Sequence, residues 1–256
     1  MSVVLKDKVA IITGASQGIG RDFALRFAKE GARLVVAARS LDKLEKLVAE
    51  IKANGGEALA VKTDISDESS VKAMADAAIK QYGRVDILLN NAAVYYGLPF
   101  KPWDSWTVQE WDRLFEVNVR GTWLVCKTVA PHIIKQGKGK IINTCSNIMM
   151  PIPIAGDHLL HYTVSKGAIY TLTQCLARAL GANNINVNAI APGATASEAT
   201  NGMLNDEAWA GSVAAQCIPR RAQTQDIVGI AVFLASDGSD MISGQVIAVD
   251  GGVWLK

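Results

Sequence analysis

In the stretch HYTVSKGAIY, residues 161–170, Tyr162 precedes Lys166 by four positions. On a helix, residues four apart share a face, so a phenol and an ammonium at this spacing point into one space and act on each other's protonation. A phenol beside a fixed cation is a candidate general acid/base. The same spacing arises on ordinary helices, so the decamer needs support from elsewhere in the chain. His158 and His161 lie close by without a carboxylate motif. With His132 they read as surface or pocket-lining residues, and no metal is expected.

A second chemical feature is TGASQGIG, where Gly14, Gly18 and Gly20 follow an apolar run and open a helical segment. Glycines let the backbone turn sharply and approach a pyrophosphate, while a helix N-terminus offers amide donors and a favourable dipole. The spacing differs from G-x-G-x-x-G, and a plain strand-to-helix turn is the alternative. Its place in the first βα unit favours nucleotide binding.

Elements must position these groups. The β-branched runs VAIITG, RLVVAA, ALAVKT, DILLNN, GKIINTC, INVNAIAP and QVIAVDG alternate with longer segments of helical period. Most are apolar on both faces, as strands of a parallel sheet covered by helices would be. SLDKLEKLVAEIKANGG reads as a helix with Ser40 as N-cap and a stop at Gly55 and Gly56. Thr107 and Glu110 have capping-box spacing. Alternating βα units of this length imply an α/β doubly wound sheet of seven strands, with ligands beyond the strands' carboxyl ends. No linker or repeat breaks the pattern, so residues 1–256 are expected to form a single dinucleotide-binding and catalytic domain.

The 256 residues are 50% hydrophobic and 20% charged, which suits a compact globular enzyme and argues against disorder. A formal net charge of +2 without a basic run argues against nucleic-acid and membrane-surface partners. The opening MSVVLKDKVAIITG carries lysines where a signal peptide needs an apolar region. No segment approaches the roughly 20 apolar residues of a membrane span. A cytoplasmic location is the expectation. Cys126, Cys145, Cys175 and Cys217 lack CxxC spacing and read as reduced, packed thiols.

Across nearly its whole length the sequence resembles the single-domain short-chain dehydrogenases/reductases. The resemblance rests on TGASQGIG, NNAA at 90–93 in place of N-N-A-G, and Asn118 in EVNVRG. It continues with Ser146 in INTCS, YTVSK at 162–166, Pro192-Gly193, and SGQVIAVDGG. It implies a Rossmann-type fold with a seven-stranded parallel sheet, helices on both faces, and a catalytic tetrad of Asn118, Ser146, Tyr162 and Lys166. By the same resemblance, Lys166 holds the nicotinamide ribose; its cation and an oxidised nicotinamide nearby favour the phenolate and bring Tyr162 closer to a useful general base. Ser146 bonds the substrate oxygen, and Asn118 holds a water in a proton path. Bland alternatives are a helix-bending role for Asn118 and a strand-end cap for Ser146.

The cofactor-binding set implied is Gly14, Ser16, Gln17, Gly18, Ile19 and Gly20, then Arg39 and Ser40, Asp64 and Ile65. It continues through Asn91, Ala92, Ala93, Tyr162, Lys166, Pro192, Gly193, Thr195 and Ser197. Asn90 is expected to order the cofactor-side strand end. Ser197 stands where the family usually has threonine. Substrate contacts are expected from Ser146, Ile148, Met149, Ile152 and Tyr162, with Met150 on the same wall. The small-residue stretch after Pro192 is expected to act as a loop-like lid. Tyr95, Tyr96, Phe100, Trp103, Trp106 and Trp111 lie in an extended segment that either packs on the domain or a neighbouring subunit, or touches substrate.

NADP(H) is the favoured cofactor and NAD(H) the alternative. Ala38 stands where NAD-using members carry an acid, and Arg39 follows with a guanidinium suited to a 2′-phosphate. A pairing of Arg39 with Asp42 is the competing reading, and Gln17 adds no second basic group. The expected reaction is hydride transfer between NADP(H) and a secondary alcohol/ketone whose body is apolar, aromatic or alicyclic. The alternatives are reduction of a 3-oxoacyl thioester on an acyl carrier and, outside catalysis, a dinucleotide-binding sensor. The expected partner is a small-molecule apolar ketone or alcohol, in a homotetramer.

Overall fold

A computed structural model describes residues 3–149 and 158–255 of the chain. Met150 and Ile152, expected on the pocket wall, lie outside the described residues.

All seven runs become strands of one parallel sheet. They are β1 (Val9–Thr13), β2 (Arg33–Ala38), β3 (Glu57–Lys62), β4 (Ile87–Asn90), β5 (Gly139–Thr144) and β6 (Ile185–Pro192). A short pair, β7 (Thr195–Ala196) and β8 (Ala222–Gln223), precedes the last strand, β9 (Val246–Val249). The sheet order is β3-β2-β1-β4-β5-β6-β9. The direction of winding therefore reverses between β1 and β4, the place where such sheets open a ligand crevice.

Alternate strand residues serve opposite faces, the period of two made visible. Ile12, Leu34, Val36, Leu89 and Ile142 pack with Phe23 and Phe27 of α1 (Gly18–Lys29) and Leu44, Leu47 and Ile51 of α2 (Leu41–Ala53). Ile11, Val35, Leu88 and Ile141 pack instead with Val71 and Met74 of α3 (Glu68–Tyr82). Both faces are thus buried, which explains why the strands read as continuous apolar runs rather than alternating ones.

Some helix starts follow the local capping chemistry and others do not. Thr107 and Glu110 form the expected capping box at α4 (Val108–Phe115). Asp67 caps α3 through the Ser69 and Ser70 amides. Ser40 stands at the N-cap of α2, but its hydroxyl makes no cap bond, leaving it turned to the crevice.

A π-helical turn, Glu116–Gly121, separates α4 from α5 (Thr122–Gln136). The 21-residue α6 (Leu160–Leu180) carries Tyr162 and Lys166. The stretch after Pro192 is not a loop: it folds into β7, α7 (Glu198–Asn201) and α8 (Asp206–Ala214), and α9 (Thr224–Ala235) follows. Its starts are set by Ser197, which accepts from the Thr200 amide, and Asn205, which accepts from the Ala208 amide. Among the described residues no helix is long and apolar enough to cross a membrane.

Candidate active site

A cavity of about 980 Å³ opens at the carboxyl ends of β1, β2, β4, β5 and β6, at the top of the usual range for ligand pockets. All the residues expected to hold a dinucleotide line it, together with Ser146, Ile148 and Tyr162.

At one end the glycine loop makes a cradle that a side chain would fill. A Cβ on Gly20 would stand 2.2 Å from the Gly14 carbonyl oxygen, and Gly14 has a φ of +68°. The loop is pinned from the neighbouring strand: the Asn91 amide donates to the Thr13 and Gly14 carbonyls at 3.3 and 3.2 Å. Asn91 therefore shapes the cradle as well as lining it. The first turn of α1 has no acidic residue and its N-cap, Gln17, makes no side-chain cap. Gln17, Gly18, Ile19 and Gly20 of this N-terminus line the cavity, and a helix start with unused amide donors suits a diphosphate.

Next to the cradle, Arg39 and Ser40 follow β2. The ion pairs of this region join Arg21 to Glu50 and Arg113 to Asp64. Among the described residues Asp42 enters none of them, so it does not neutralise Arg39. A second cation was missed: Lys43, from the first turn of α2, donates to the Gln17 side chain at 2.8 Å. The two are 26 positions apart, and only the folding of α2 back beside the glycine loop joins them.

Asp64 accepts from the Ser66 amide and hydroxyl at 2.9 and 2.6 Å. Burial pushes its carboxyl up, but these bonds and the charges of Arg113 and Arg39 outweigh that and hold it below the usual range.

At the other end stand the tetrad candidates. Tyr162 and Lys166 share the cavity face of α6 and are 8% and 4% exposed. The Lys166 ammonium donates to the Thr144 carbonyl at 2.7 Å and lies 5.5 Å from the centre of the Tyr162 ring. Burial pushes the Tyr162 phenol up, with Tyr95 and Cys145 adding to the rise and the Ser146 hydroxyl opposing it. Lys166 is not among these influences on the phenol of the dinucleotide-free chain. Burial instead lowers Lys166 itself, to about 8.

Asn118 is the fourth tetrad candidate. It lies in the π-helical turn, a feature common at functional sites. Its side-chain oxygen accepts from the Val94 amide at 2.7 Å, and its side-chain nitrogen donates to the Val94 carbonyl and the Ser165 hydroxyl. The amide group is thus committed to clamping the chain after β4. Any water it holds must use the main-chain carbonyl, which already accepts the Thr122 hydroxyl at 2.8 Å. Asn90 does order its strand end, donating to Asn143 at 2.9 Å.

The short 3₁₀ turn after Ser146 splits the expected apolar wall. Ile148 lines the cavity, while Met149 packs against the cluster of Cys145, Ile169, Ala189 and Ala191. Three residues per turn send neighbouring side chains in different directions. Asn147, also missed, donates to the buried Asp250 at 3.2 Å and fastens the Ser146 turn to the C-terminal VDGG.

The aromatic segment divides as well. Tyr95, Tyr96 and Phe100 line the cavity, whereas Trp106 stacks on His161 and Trp111 on Phe115. Trp103 is 69% exposed. Ser197 lines the cavity, but its hydroxyl caps α7.

Comparison with known proteins agrees with this geometry. A family model described as enoyl-(acyl carrier protein) reductase matches residues 14–254. A 3-oxoacyl-[acyl-carrier-protein] reductase of Staphylococcus aureus is 35% identical over 249 residues, covering 97% of this chain and 98% of the relative. A 7α-hydroxysteroid dehydrogenase complexed with NADH and 7-oxo glycochenodeoxycholic acid superposes with a TM-score of 0.92. It is 37% identical, with 98% of this chain and 96% of that one covered. A putative NAD(P)-dependent gluconate 5-dehydrogenase from Beutenbergia cavernae, with bound NADP, gives 0.91 at 32% identity, with 99% of each chain covered.

Proposed function

The chain belongs to the short-chain dehydrogenase/reductase family of oxidoreductases, and from that premise we propose hydride transfer between NADP(H) and a secondary alcohol/ketone with an apolar, aromatic or alicyclic body. The observation that carries the substrate class is the cavity beyond the glycine loop. Its walls include Val94, Tyr95, Tyr96, Phe100, Ile148 and Leu159. Among the described lining residues, Lys166 is the one charged side chain away from Arg39 and Asp64. A sugar acid would bring a carboxylate to a site whose single cation already holds the Thr144 carbonyl. A neutral, ring-shaped body meets no such penalty.

The residues fit a dinucleotide. The glycine cradle and the α1 N-terminus suit its diphosphate, and Asp64 and Ile65 stand for the adenine end. Arg39, Ser40 and Lys43 suit a 2′-phosphate. Pro192, Gly193 and Thr195 stand for the nicotinamide end. When bound, the nicotinamide supplies or accepts the hydride. Burial raises the Tyr162 phenol and so favours its protonated form, the state that donates a proton to a carbonyl oxygen during reduction. Ser146 lies beside that phenol and can bond the same oxygen. Lys166, held by Thr144, supplies positive charge next to the acid. Asn118 fixes Val94, and with it a part of the cavity wall packed against α6.

A 3-oxoacyl thioester is the second reading, favoured by the 35% identical reductase. One experiment tests both: oxidation of NADPH and NADH followed by absorbance with cyclic and aryl ketones, gluconate-type keto acids and acyl thioesters. Best turnover of neutral cyclic ketones supports the first reading, and best turnover of carrier thioesters replaces it with the second. We also propose self-association into a homotetramer, supported by exposed Trp123 and Ile134 on α5, Val164 on α6 and Phe233 on α9. Light scattering measures it directly.

A further inference from the structure

The inference rests on the hydride-transfer reading, which gives Ser146 the substrate oxygen, and concerns what holds that hydroxyl in place. The Ser146 hydroxyl accepts from the Ile148 amide at 3.3 Å, so its direction is tied to the 3₁₀ turn Asn147–Met149. A turn of three residues has little stability of its own and needs an outside anchor. Asn147 supplies one.

Its side-chain amide donates to Asp250 at 3.2 Å, and the two residues are 7% and 4% exposed. The same carboxylate oxygen accepts the Trp254 amide at 3.1 Å, and the other oxygen accepts the Gly252 amide at 3.0 Å. A buried carboxylate needs such donors, and because two of them share one oxygen, a change at one is felt at the other. The turn after β6 rests on the same pair: a Cβ on Gly193 would stand 2.8 Å from the Asp250 Cβ and 3.3 Å from the Asn147 amide nitrogen. From the other side, the chain after α8 joins the C-terminal turn where the Ile218 amide donates to the Gly251 carbonyl at 2.9 Å. Ser146, Asn147, Gly193 and Val253 all line the cavity. Segments from distant parts of the chain thus converge on one carboxylate beneath the cavity wall.

We propose that Asn147 and Asp250 are positioning residues for Ser146: their bond locks the turn that aims the Ser146 hydroxyl to the C-terminal turn that carries Val253. The group that bonds the substrate oxygen and a part of the wall beside it are then set together. A directional bond to a fixed carboxylate holds the turn in one orientation, which apolar packing alone does not.

The test separates the tie from its effect on Ser146. Hydrogen exchange of the dinucleotide-free protein is measured for wild type, Asn147→Ala and Asn147→Leu, the second keeping most of the side chain's volume without its donor. Exchange at the Ile148, Gly252 and Trp254 amides is expected to quicken together by roughly tenfold to a hundredfold, the effect of losing one hydrogen bond to a charged group. In turnover of a cyclic ketone, each change should lower kcat by roughly tenfold to a hundredfold, because the hydroxyl is no longer aimed. NADPH affinity should stay within about threefold of wild type. In a Ser146→Ala background, single-turnover rates with and without the Asn147 change should agree within about twofold, since the residue acts through a hydroxyl already removed. Exchange that quickens only within residues 147–149, or nowhere, overturns the tie. A rate loss of the same size in both backgrounds, or in neither, overturns the positioning role. Exchange needs no turnover, so a wild type that reduces no ketone would count against the hydride-transfer reading while the tie is still measured.

Discussion

The Lys166 ammonium lies 5.5 Å from the centre of the Tyr162 ring and donates to the Thr144 carbonyl at 2.7 Å, so one strand-end carbonyl holds the cation over the phenol's ring. Spacing on a helix places two side chains on one face without fixing which atoms meet. Here burial, with Tyr95 and Cys145 adding to it, raises the Tyr162 phenol above its ordinary value.

Tyr162→Phe removes that acid and keeps the ring. Turnover should fall by ~10²–10⁴-fold, the usual contribution of general acid catalysis, with dinucleotide binding and thermal stability close to wild type. Lys166→Ala should weaken binding and turnover together. Titration with NADPH fluorescence beside steady-state kinetics separates the two signatures.

The Lys166 shift sets a pH limb. Burial favours the neutral amine and lowers its pKa to about 8, so the ammonium predominates below that pH and is lost above it. The free enzyme's essential groups appear in kcat/KM. For reduction, kcat/KM should therefore decline as pH rises through about 8, and Lys166→Arg should move the decline upward. A profile flat to pH ~10 would contradict the role of the charge.

At the cofactor's other end, Arg39→Ala should weaken NADPH binding by roughly tenfold or more and leave NADH within a small factor, because a charged hydrogen bond is lost. Lys43→Ala should have the same sign and a smaller size, because Lys43 reaches the region through Gln17 and is not among the cavity-lining residues. Both effects should shrink in high salt. Equal losses for the two dinucleotides would remove the case for a 2′-phosphate site.

Gly20→Ala tests the cradle. A methyl group 2.2 Å from the Gly14 carbonyl forces the loop to move. Destabilisation of ~1–3 kcal/mol is expected, with dinucleotide affinity lost beyond detection. Thermal unfolding with and without NADPH reads both.

Much of this was legible because the signals were local. Each of the seven strands announced itself as a β-branched run, and Thr107 with Glu110 announced a helix start. Other features depended on distant partners. Lys43 reaches Gln17 only once α2 folds beside the glycine loop, and Asn147 reaches Asp250 across 103 positions. The small residues after Pro192 looked like loop, yet Ser197 and Asn205 carry capping chemistry that starts two short helices there. Met149 was placed by composition on the cavity wall, and in the 3₁₀ turn it packs, partly buried, against a core cluster instead.

The most direct measurement is NADPH oxidation by the wild-type protein with a neutral cyclic or aryl ketone, compared with a keto acid and a carrier-bound 3-oxoacyl thioester at equal concentration. The expected result is a kcat/KM for the neutral ketone well above that for either other substrate, and higher with NADPH than with NADH. Preferential turnover of the keto acid or the thioester would contradict the uncharged-cavity account, and an NADH preference would contradict the roles given to Arg39 and Lys43.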